Sequence, residues 1–154
     1  MNYFEILEAP ISYKIDEQKI TDVYLEKQRI LHPDLQEKNH DDSDISLLNE
    51  AYHVLRSPIL RAEYFLKLKG INTDAIVTSE SASEILFLRE QYESINSEAE
   101  IEKFNEYLQE RMGNLIDSLY KLENNLEEFN KKFSLLRFIK SFLDRVVPDA
   151  YSGD

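Results

Sequence analysis

Cysteine and tryptophan are absent from this 154-residue chain. With no thiol, disulfides, cysteine-based zinc sites, cysteine-ligated iron–sulfur clusters and a cysteine nucleophile are all excluded. Glycine and proline are scarce, at three and four residues. So few breakers favour long helices over a turn-rich β fold. Long apolar runs are missing too, none approaching the roughly 20 residues of a membrane helix. Positive charge is short: 18 Lys and Arg stand against 30 Asp and Glu, a net charge of −12. Such an acidic surface argues against nucleic acid or membrane as a partner, because both demand basic surface. The start of the chain has neither the basic-then-apolar layout of a signal peptide nor an Arg-rich leader. The expectation is therefore a soluble cytoplasmic protein, with the mitochondrial matrix second.

What is present can build a core. Apolar residues make up 42% of the chain, enough for a folded domain or two small ones. Residues 1–70 hold nine basic and 13 acidic side chains, and residues 71–154 hold nine and 17. Gly70 closes the run Arg61-Ala62-Glu63-Tyr64-Phe65-Leu66-Lys67-Leu68-Lys69, where a helix should end. A boundary between two subdomains is expected near residues 70–78.

In the first half, Asn2 to Leu7 reads as one helical turn that tucks Tyr3, Phe4 and Leu7 inward. Asp16 is an N-cap, with Glu17 placed to suit the helix dipole. Ile20, Val23, Tyr24, Ile30 and Leu31 then hold helical spacing on one face. Pro33 stops that helix, since the residue before a proline is pushed out of α geometry. A polar loop follows, and a second helix carries Ile45, Leu48, Ala51, Tyr52 and Leu55 until Ser57-Pro58. Two such helices should pack as an antiparallel hairpin with tyrosines and aliphatics between them.

Where the first helix ends, the sequence reads Leu31-His32-Pro33-Asp34. Proline fixes the direction of the backbone, the aspartate offers a carboxylate that an arginine can grip, and the histidine can hydrogen-bond or stack. A helix ending in His-Pro-Asp, a polar loop and an antiparallel helix resemble a J-domain. The resemblance narrows with Asn2-Tyr3-Phe4-Glu5-Ile6-Leu7, Arg61-Ala62-Glu63-Tyr64-Phe65-Leu66 and Phe87-Leu88-Arg89-Glu90-Gln91-Tyr92-Glu93. Together these are similar to the HscB family of J-type co-chaperones in iron–sulfur cluster assembly, over nearly the whole chain.

The second half reads as a bundle. Ser81-Ala82-Ser83-Glu84 and Ser97-Glu98-Ala99-Glu100 have the capping-box pattern. The first should open a helix carrying Ile85, Leu88 and Tyr92. The second should open a long one with apolar residues at 101, 104, 108, 112, 115, 119, 122 and 126, a near-heptad seam. A turn is placed at Asn124-Asn125, followed by a helix with Phe129, Phe133, Leu136, Ile139, Leu143 and Val146. The expected fold is all-α: residues 1–74 a J-domain with its connecting helix, 75–148 an antiparallel three-helix bundle, 149–154 a loose tail.

The resemblance implies two partners. One is an HscA- or DnaK-type chaperone, facing His32, Pro33 and Asp34 with help from Lys27 and Arg29. The other is the scaffold IscU, facing Leu88, Arg89, Tyr92, Glu93, Asn96 and Phe138. The implied function is delivery of IscU to the chaperone with stimulation of its ATPase, and so cluster transfer. Three positions depart from the family's pattern: Leu35 where a lysine is usual, Arg89 where an apolar residue is, and Asn96 where an acid is. A general J-protein with another client is the alternative. A metal-dependent hydrolase using His32, His40 and His53 with nearby carboxylates is a third class, but no pair has the zinc-binding His-x-x-x-His spacing. No phosphate-binding glycine loop or serine nucleophile arrangement occurs. The expectation is a monomer with no catalytic residue, no metal and no cofactor.

Overall fold

The computed structural model describes residues 1–31 and 42–146. Among them every regular element is a helix: α1 (Tyr3–Ile6), α2 (Glu17–Leu31), α3 (Asp42–Arg56), α4 (Pro58–Leu68), α5 (Ser79–Glu93), α6 (Glu98–Lys121) and α7 (Leu126–Val146). Backbone contacts divide the chain into two compact units, Met1–Lys69 and a second that begins at Gly70.

In the first unit, Asn2 caps α1 by accepting from the Glu5 N–H. Phe4, Ile6 and Leu7 are thereby turned into the core, with Tyr3 half-buried beside them. The Asp16 carboxylate accepts from the Lys19 N–H at 3.1 Å and caps α2. Ile20 from α2 meets Leu48, Ala51 and Leu55 from α3. Thr21 lies opposite Tyr52, and Tyr24 opposite Asn49, so α2 and α3 run antiparallel. Aliphatics fill the centre of this hairpin and the tyrosines line its rim. Ser57 and Pro58 do more than stop α3. Ser57 caps α4 by accepting from the Leu60 N–H, and Pro58 takes the first helical position, where no N–H is needed. Gly70, at φ 76°, supplies the left-handed residue beyond the end of α4.

A buried cation ties this unit together. Arg61 on α4 is fully buried. Its Nε donates to the Tyr13 carbonyl at 2.8 Å and its Nη1 to the Leu55 carbonyl at 2.7 Å. The guanidinium also lies 4.8 Å from the centre of the Tyr13 ring and 3.7 Å from the Glu17 carboxylate. A buried charge is tolerated only when its donors are satisfied, and here they join the segment before α2 to the end of α3.

The second unit is a three-helix bundle. The seam on α6 buries Phe104, Leu108, Leu115 and Leu119. It faces Phe129, Phe133, Leu136, Ile139 and Phe142 of α7, all buried. Asn125 caps α7 through the Glu128 N–H, after the short turn at 122–125. The Ser81 capping expectation is corrected: α5 begins at Ser79, and its cap is Thr78. Thr78 and Ser81 exchange hydrogen bonds of 3.0 and 2.8 Å between each side-chain oxygen and the other's N–H. A serine at the third helical position serves as the box partner in place of glutamate. Ser97 caps α6 as expected. The segment before α5 lies along α7. There Ile76 N–H donates to Ser134 Oγ at 2.7 Å, Asn130 Nδ2 to the Asn72 carbonyl at 3.1 Å, and Arg137 to the Thr73 carbonyl.

Candidate functional site

Two groups of residues carry the functional expectations, one on each unit. In the first, His32, Pro33 and Asp34 lie outside the described residues, as do Leu35 and His40. Lys27 and Arg29 lie on the last two turns of α2, directly before them. Their surroundings differ. Lys27 Nζ donates to the Ile6 carbonyl at 2.6 Å and stands 4.0 Å from the Glu8 carboxylate. It therefore holds the C-terminal end of α1 to α2, where a cation is favoured. Arg29 is exposed and pairs with Glu26 at 2.7 Å. That hydrogen bond, with the charge behind it, raises the Arg29 pKa and lowers that of Glu26. Arg29 thus points a partly neutralised cation at solvent, whereas Lys27 is half-buried in a structural role.

The second group sits on α5 and α7. Leu88 contradicts the expected exposed cluster, for it is fully buried. Helical spacing places 85, 88 and 92 on one face, and α5 turns that face to the bundle. Tyr92 follows it halfway: half-buried, its ring is 6.5 Å from that of Phe104 and 6.1 Å from that of Phe142. Phe138 on α7 is likewise half-buried. Arg89, Glu93 and Asn96 are exposed. The structure therefore presents the polar members of the group and withdraws the apolar centre. Asn96 precedes the cap of α6, its N–H donating to the Glu100 carboxylate at 2.9 Å.

The exposed apolar side chains of α5 are instead Leu86, at 56%, and Phe87, at 45%. The motif-based reading missed both, because the register drawn from Phe87-Leu88-x-x-x-Tyr92 assigned the surface to residues one position further on. The heptad spacing of α6 held the signal, since Tyr107 lies off the seam, and it is 41% exposed opposite Phe87.

Among the described residues no group of three His, Asp or Glu side chains is placed to hold a metal ion. No helix among them is long and apolar enough to cross a membrane.

No family model matches the chain. The mouse iron–sulfur cluster co-chaperone protein HscB is 26% identical over 157 aligned positions, covering 94% of this chain and 67% of the mouse protein. A co-chaperone protein HscB homolog from Shewanella amazonensis is 34% identical over 99, covering 60% of this chain and 56% of that one. The match thus spans two thirds of the mouse protein's length and just over half of the bacterial one's. In three dimensions the crystal structure of human co-chaperone protein HscB superposes with a TM-score of 0.85, at 22% identity, over 98% of this chain and 83% of that one. The all-helical order, hairpin first and bundle second, is therefore that of a solved HscB. The mouse and human HscB co-chaperones align along 94% of the chain, which is therefore similar to the HscB co-chaperones in sequence as well as in fold.

Proposed function

We propose that this protein delivers an IscU-type iron–sulfur scaffold to an HscA- or DnaK-type chaperone and stimulates the chaperone's ATPase. The observation that carries the reading is one of placement. His32-Pro33-Asp34 directly follows the last residue of α2, in a chain whose fold matches that of human HscB. Residues 1–74 act on the chaperone and residues 75–148 hold the scaffold, in the bacterial cytoplasm.

The division of labour follows from the chemistry. A histidine and a carboxylate beside a proline give the chaperone a rigid, hydrogen-bonding contact. Arg29, exposed one turn before them, adds a steering charge toward an acidic surface. The chaperone supplies the hydrolytic chemistry, and the co-chaperone shifts the balance between its conformations, which is a coupling between sites. On the second unit, Arg89, Tyr92, Glu93, Asn96 and Phe138 meet the scaffold, and Leu88 supports their helix from beneath. Arg89 and Asn96 make this contact less acidic than the family pattern implies.

The test is a titration of the ATPase rate of an HscA-type chaperone with this protein, with and without IscU. The reading requires stimulation by the protein alone and a further rise when IscU is present. Stimulation that IscU leaves unchanged would assign the chain to a different client. No stimulation at all would remove the chaperone from its function.

A further inference from the structure

A groove of about 340 Å³ runs between the C-terminal half of α5 and the N-terminal half of α6. α5 packs its backbone more closely on α7 than on α6. Large side chains span the remaining gap. At one end the Glu84 carboxylate grips Arg111 Nε at 2.9 Å. Next, the Phe87 and Tyr107 rings meet edge to face, 6.1 Å between centres. Beyond them the groove opens over buried Phe104 and half-buried Ile95.

Two features make this surface unusual for its helices. Phe87 and Tyr107 are both more than two-fifths exposed, an apolar pair that solvent alone does not favour. Around it the charge is predominantly negative. α5 and α6 carry four and six carboxylates against one and three cations. Glu100 lines the groove, and Glu90, Glu106 and Glu110 are exposed within a turn of Phe87, Lys103 and Tyr107. Lys103 is the single cation among the lining residues.

We infer that this groove docks a protein segment that presents a bulky apolar side chain flanked by lysine or arginine. The apolar side chain packs beside the Phe87–Tyr107 ring pair and over Phe104, while the flanking cations meet the acidic rim. An apolar centre with a charged border is the arrangement that gives affinity at the middle and orientation at the edge. The groove lies on a different side of α5 from Tyr92, about 140° around the helix from Phe87 at 100° per residue. It is centred on a different side of α5, although Tyr92 and Asn96 border it through Phe104 and Glu100, and its test needs no scaffold.

The experiment uses the full chain and two synthetic peptides, each with a Leu-Phe pair, flanked by lysines in one and by glutamates in the other. Amide NMR titration should place the shifts of the lysine peptide on residues 87–107. The glutamate peptide should bind at least about tenfold more weakly, as expected from the loss of complementary rim charge. Phe87→Ala and Tyr107→Ala should each weaken the lysine peptide about tenfold, the size expected of an aromatic anchor, with melting unchanged because both side chains are exposed. Equal binding of the two peptides, shifts confined to another surface, or no shift would overturn the inference. So would sedimentation showing a dimer of the free chain that Phe87→Ala dissolves, because the groove's occupant would then be a second copy.

Discussion

The rings of Tyr24 on α2 and Tyr52 on α3 stack 4.0 Å apart and within 6° of parallel. Each hydroxyl also has a partner across the hairpin, Tyr24 with Asn49 at 2.7 Å and Tyr52 with Thr21 at 3.0 Å. The pair sits at the rim of the hairpin, where aliphatic contacts thin out, and locks its register. A double-mutant cycle with Tyr24→Leu and Tyr52→Leu should give a coupling of about 0.5–1.5 kcal/mol, as for other aromatic pairs. Urea unfolding of the four proteins measures it. Additive losses would mean that the stack contributes only by area.

Arg61 makes a stronger prediction. Replacing it with Ala removes a buried, fully engaged cation and leaves the Tyr13 and Leu55 carbonyls without their donor. The expected loss is about 3–5 kcal/mol, the cost of breaking a buried charged network. Arg61→Lys should recover only part of it, because a single ammonium lacks the rigid fork that reaches both carbonyls. Full recovery by lysine would show that charge, and not the fork's geometry, is what the site needs.

The helices were legible because their signals are local. Asp16, Ser57-Pro58, Gly70 and Ser97 each mark an end by backbone chemistry that one residue settles. Arg61 was not legible, since a charge in an apolar stripe reads as surface until its partners are known, and these come from residues 13 and 55. The start of α5 differs from the expectation because Thr78 and Ser81, three positions apart, both suit a cap, and here Thr78 takes that place with Ser81 as its box partner. Leu88 was expected to face the scaffold, and its burial has a related reason. In an amphipathic helix the sequence gives the spacing of the apolar face, while its rotation is set by the neighbouring helices.

That rotation can be measured directly. Leu88→Ala should lower stability by about 2–5 kcal/mol, the cost of a cavity in a packed core. Leu86→Ala, two positions away on the exposed side, should stay within about 0.5 kcal/mol. Arg89→Met should likewise leave folding unchanged, and on the scaffold reading it should tighten IscU binding by restoring an apolar contact. The three variants, compared by thermal melting and by IscU affinity, separate a supporting residue from a contacting one. A Leu88→Ala protein that melts normally yet fails to bind IscU would restore the exposed cluster.

The chaperone-facing residues divide in the same manner, and the division makes the J-domain reading testable residue by residue. His32→Gln and Asp34→Asn should abolish ATPase stimulation, because the reading gives these side chains the contact itself. Arg29→Ala removes an exposed cation whose only described ion pair is with Glu26. It should leave melting within about 0.5 kcal/mol, as for other surface charges. Its effect should fall on the concentration of protein needed for half-stimulation and on the salt dependence of that value, with the maximal rate preserved. Lys27→Ala should behave differently. Its ammonium holds the Ile6 carbonyl at the end of α1, and a charged hydrogen bond of this kind contributes about 1.5–3 kcal/mol. The variant should therefore melt earlier, and at a temperature where it remains folded its maximal stimulation should be near that of the parent protein. If Lys27→Ala instead keeps its stability and loses stimulation, the ammonium faces the chaperone, and its bond to α1 gives way in the complex.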